Sequence, residues 1–113
     1  MRWLSVAVLL LVVACAPALT PVISRSNGEV DVVLSAARSV YDVQVVVLNA
    51  SSDDFRCVAF ESDLVCSVGS ISARKEVSFT VVGEPGMVSC VAYGFTRVDL
   101  SMASYRPFAC VVR

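Results

Sequence analysis

The sequence predicts an all-β domain, most simply a sandwich of two sheets. Three observations lead there: apolar and polar residues alternate at period two, turn signals recur every 8–12 residues, and no stretch keeps a helical period. A small closed barrel would show the same alternation. About 85 residues hold seven or eight such segments, with no internal repeat and no low-complexity tract.

The first strand is Glu29–Leu34, where Val30, Val32 and Leu34 alternate with Asp31. The second, over 40–48, sets Tyr41, Val43, Val45 and Val47 on one face, opposite Asp42 and Gln44 and then Val46 and Leu48. That order predicts a strand half exposed at its start and buried on both sides at its end. Asn49 to Asp54 is a turn cluster by composition. Phe55–Phe60 and Leu64–Val68 flank a short polar link, Glu61-Ser62-Asp63, and read as a hairpin. Ser70–Lys75 is a connection, followed by alternation at Val77, Phe79 and Val81. Gly83-Glu84-Pro85-Gly86 is a turn signal, after which Val88, Cys90 and Ala92 alternate. Val98, Leu100 and Met102 form a further strand. Pro107 breaks the chain before a last one, with Phe108, Cys110 and Val112 on one face.

Ahead of these segments, residues 1–18 (MRWLSVAVLLLVVACAPA) place Arg2 before an apolar run and small residues after it, the order of a secretory signal peptide. Pro17 stops the run short of the roughly 20 apolar residues that a membrane-spanning helix needs. Val12-Val13-Ala14-Cys15 resembles the lipobox of bacterial lipoproteins, which makes Cys15 the expected lipidation site and the membrane the expected partner. Ala16-Pro17-Ala18 fits ordinary secretion instead. Residues 19–28 (LTPVISRSNG) lack a sustained period and read as a tether. The expected organisation is a signal peptide over 1–14, a flexible tether over 15–28 and a disulfide-stapled domain over 29–113.

Beyond Cys15 lie Cys57, Cys66, Cys90 and Cys110, an even count that implies a disulfide framework in an exported chain. Three pairings exist; local spacing favours Cys57–Cys66 and Cys90–Cys110, each bracketing neighbouring strands. There is no C-x-x-C motif, and gaps of 8, 23 and 19 residues do not resemble zinc knuckles, so no metal and no cofactor are expected.

The chain has no histidine, which removes Ser–His–Asp and Cys–His catalysis. A net charge of −1, about −2 once Arg2 is removed, argues against nucleic acid as a partner. Glu61 with Asp63 and Asp53 with Asp54 are carboxylate pairs, but both lie in turns and read as solvated. Calcium-loop spacing is absent. Lys75 beside Glu76 reads as a surface pair, and Asn49-Ala50-Ser51 is a formal glycosylation sequon. The aromatics Phe55, Phe60, Tyr93, Phe95, Tyr105 and Phe108 read mainly as core or cross-strand pairs. Tyr105, Arg106 and Phe108, beside Pro107, are the best candidates for a recognition surface.

The run Cys57-Val58-Ala59-Phe60-Glu61-Ser62-Asp63-Leu64-Val65-Cys66-Ser67-Val68-Gly69-Ser70-Ile71, with the strand Val77–Val82 after it, resembles the conserved-repeat and cell-adhesion-related immunoglobulin-like domains of prokaryotic surface proteins. It departs from them at Ala73-Arg74-Lys75, where glycine is usual, and in lacking an upstream Asn-x-Gly turn. The resemblance implies a small immunoglobulin-like antiparallel sandwich of about seven strands, displayed on a surface for adhesion or scaffolding, with no catalytic residues. The expected function is therefore a non-catalytic envelope module that binds another envelope protein or copies of itself. A filament subunit donating residues 19–34, the tether and the Val30–Leu34 strand, to a neighbouring copy, or a secreted hydrolase inhibitor, are the alternatives.

Overall fold

The computed structural model describes residues 17–26, 28–84, 86–96 and 105–113. Among them are nine strands and no helix: β1 (Leu19–Ser26), β2 (Glu29–Ala36), β3 (Val40–Leu48), β4 (Cys57–Phe60), β5 (Asp63–Ile71), β6 (Glu76–Val82), β7 (Ser89–Phe95), β8 (Tyr105–Ala109) and β9 (Val111–Val112). They form a four-stranded sheet, β6-β2-β1-β9, and a five-stranded sheet, β4-β5-β3-β7-β8. The expected strand over 98–102 lies outside the described residues.

Alternation builds the core. Val30, Val32, Leu34 and Ala36 of β2 are buried, as are Phe79 and Val81 of β6; from the other sheet come Val43, Val45 and Val47 of β3, Leu64 and Ile71 of β5, and Ala92 of β7. All belong to one continuous apolar cluster. Each large side chain there contributes roughly 1.5–3 kcal/mol by leaving water.

Three expectations need correction. Residues 19–26 are a strand of the domain and no tether: Leu19, Pro21 and Ile23 are buried, and β1 pairs with β2 along its whole length, from Leu19↔Ala36 to Ser26↔Glu29. Gly28, at φ 82°, lies in the short link between them, and in sequence Asn-Gly between alternating segments is a strong hairpin signal. Proline and serine masked that alternation. Pro107, for its part, lies inside β8 opposite Tyr93. β8 is the last strand of its sheet, and an edge accepts a residue without an N–H. The sandwich is also not wholly antiparallel: β9 runs parallel to β1 through Val22↔Val111 and Ile23↔Val112.

That parallel pair comes from a crossing. The expected single strand over 108–112 is two, and at Cys110 the chain leaves the five-stranded sheet for the four-stranded one. The Cys90–Cys110 bridge and a Cys110 N–H bond to the Cys90 carbonyl (3.2 Å) hold the crossing in place. The other bridge, Cys57–Cys66, joins directly opposed residues of β4 and β5. Both are the pairings that local spacing favours.

Candidate binding surface

The outward face of the five-stranded sheet is set by an irregularity in β3. Register shifts fall between Val40 and Val43, so both valines turn inward, and Asp42 between them takes φ 52°. This is a β-bulge. It leaves Tyr41 half-buried, and thereafter Gln44, Val46 and Leu48 face outward. Val46 is half-buried and Leu48 is 37% exposed, so β3 does not end buried on both sides. The second sheet covers one face only.

Register then aligns apolar residues from edge to edge of that face. Val58 pairs with Val65, Val65 with Val46, Val46 with Val91 and Val91 with Ala109. The row thus crosses all five strands without a polar side chain. Val58 is 68% and its neighbour Phe60 69% exposed. On the β7–β8 side, Tyr105 packs against Phe95 (centroids 4.7 Å apart) and stacks on Tyr93 (5.8 Å). Its Oη donates to the Asp42 carbonyl at 3.0 Å, tying β8 to the bulge. Burial, and then the Asp42 charge, raise the Tyr105 pKa above its ordinary 10.0.

The four-stranded sheet is different. Its outer face carries Thr80 Oγ1 donating to Asp31 (2.9 Å) and Ser35 Oγ donating to Glu76 (3.2 Å). An antiparallel sheet whose outer side meets water is expected to be polar there. The four-stranded sheet conforms in part: beside those polar pairs its outer face also carries the valine row Val33–Val22–Val111, with Val111 49% exposed.

The trio Tyr105, Arg106 and Phe108 does not make one surface. Strand alternation sends Tyr105 outward with Pro107, whereas Phe108, opposite Ala92, packs on the core. Arg106 is exposed at the β8 edge, opposite Gly94. Sequence reading missed Val46, Val58, Val65 and Val91 as surface residues, because a row across strands shows only once register is known.

Asp54 is engaged rather than merely solvated: Arg56 Nε and Nη2 reach its two oxygens at 3.0 and 2.8 Å, and the Arg56 N–H reaches Oδ1 at 2.9 Å. The side-chain bond from Arg56 lowers the Asp54 pKa from 3.8 to about 2. Ser52 Oγ accepts the Asp54 N–H and donates to the Thr80 carbonyl, so the loop is pinned on β6. Glu61 is exposed at the β4–β5 turn, and Asp63 accepts the Asn49 N–H at 3.4 Å. No cluster of three metal-ligating side chains exists among the described residues. Cys15 lies outside them.

Comparison with known proteins returns no match to a family model, a curated protein or a solved structure.

Proposed function

We propose that the chain is a non-catalytic, exported, immunoglobulin-like module that is held to a membrane through Cys15 and binds another envelope protein with the outer face of its five-stranded sheet. The apolar row Val58–Val65–Val46–Val91–Ala109 carries the binding part of this reading. An exposed apolar stripe flanked by aromatics is the composition of a protein-binding face. Two disulfides support export to an oxidising compartment. The crossing of the last segment from one sheet to the other supports the immunoglobulin-like description.

Filament assembly by strand donation loses ground, because both β1 and β2 are already paired inside their own domain. Photo-cross-linking residues at positions 58 and 60, installed in the natural host, test the binding face. Cross-links to an envelope protein from both positions, and none from position 78 on the other sheet, are expected. Equal labelling from all three, or none at all, contradicts it.

A further inference from the structure

The short connections place the same ends of both sheets together. β2 passes to β3 through residues 37–39, and β5 to β6 through residues 72–75. The two turns are bonded to one another's surroundings: Arg74 N–H reaches the Ala36 carbonyl (2.7 Å), Ala36 N–H the Lys75 carbonyl (3.1 Å), and Ala73 N–H the Ser39 hydroxyl (3.2 Å). The N-terminal chain leaves at this same end. Ala18 is buried there, its carbonyl accepting the Ala37 N–H at 2.8 Å. Two residues, three steps along the chain, then separate Ala18 from Cys15 in the sequence, a reach of at most about 10 Å.

Charge is divided along the same axis. Among the described residues, the end from which the chain departs carries Arg38, Arg74, Lys75 and Arg106 against Asp42 and Glu76. The opposite half carries Glu29, Asp31, Asp53, Asp54, Glu61, Asp63 and Glu84 against Arg25, Arg56 and Arg113. Arg74 is held at its exposed turn in the left-handed region (φ 66°), a conformation that glycine would adopt more easily.

We infer that the Arg38–Arg74–Lys75 end docks on the anionic headgroups of the bilayer that holds the chain. The inference rests on the membrane-anchored reading of Cys15. A lipid on Cys15 would fix this end within reach of the surface, where each lysine or arginine strengthens association about fivefold. The acidic half would then face away, repelled by the same lipids, and the outer face of the five-stranded sheet would stand roughly along the surface normal.

The test uses the mature protein, isolated with whatever Cys15 carries and mixed with vesicles of phosphatidylcholine alone or with added phosphatidylglycerol. Hydrogen exchange reports which end is covered. Slower exchange over 37–39 and 72–75 in the anionic vesicles only, reversed by high salt, is expected. Arg74→Glu with Lys75→Glu weakens docking at least about 25-fold, Arg74→Lys retains it, and Arg25→Glu with Arg113→Glu leaves it unchanged. Equal exchange in both vesicle types, or protection over 83–88 instead, overturns the inference. A chain without lipid on Cys15 overturns the anchored reading and this inference with it, whereas a lipidated chain that fails the exchange test overturns this inference alone.

Discussion

Asp54 and Arg56, two positions apart in a turn, form a salt bridge at 2.8 Å, with side chains 19% and 27% exposed. Asp54 has a folded pKa of about 2 against an ordinary 3.8. Because that pKa is depressed, the contribution is fully present above about pH 4 and is lost as pH falls toward 2. Asp54→Asn should therefore flatten the acid limb of the stability curve between those values, as measured by urea unfolding across pH. Charge spacing alone did not reveal this pair, since adjacent turn residues that fork together look the same in sequence as residues that point apart. Arg74 gives a second prediction at this scale. A side chain at φ 66° is strained by about 1 kcal/mol, partly offset by the entropy that glycine loses on folding. Arg74→Gly should raise stability by about 0.5 kcal/mol in chemical denaturation while weakening attachment to anionic vesicles.

At the scale of elements, period-two alternation made β2, β3, β6 and β7 legible, because each buries one face and leaves the other to water or half-covered. Where alternation was interrupted, it failed. β1 hid behind Pro21 and two serines although Asn27-Gly28 marked its hairpin, and the β3 bulge reassigned Tyr41 because one extra residue reverses every side chain before it. Gly94 sits across from that bulge. A Cβ there would meet Val40 Cγ1 and Val43 Cγ2, so Gly94→Ala should destabilise the domain by about 1–3 kcal/mol through overpacking. The bridges invite a paired comparison. Cys90→Ala with Cys110→Ala frees the sheet-crossing segment and should cost about 3 kcal/mol in the chain-entropy picture, and Cys57→Ala with Cys66→Ala slightly less, since its loop is shorter (separation 9 against 20). Thermal unfolding of the two double variants checks the order.

For the whole molecule, the asymmetry between two sheet faces matters more than any single residue. The four-stranded sheet mixes polar pairs with a valine row that ends at Val111, whereas the five-stranded sheet carries an apolar row from exposed Val58 across all five strands to Ala109. Val58→Thr with Phe60→Thr should change stability by no more than about 0.5 kcal/mol, as surface substitutions do, while abolishing co-purification of the envelope partner. The fold class was legible because it depends on local periodicity. The face was not, because it depends on which strands become neighbours. Export and anchoring are tested most directly by intact mass spectrometry of the natively expressed protein, before and after reduction. A chain beginning at Cys15, carrying lipid mass and gaining four hydrogens on reduction, is the predicted result. A chain that retains Met1 with five free thiols would contradict it.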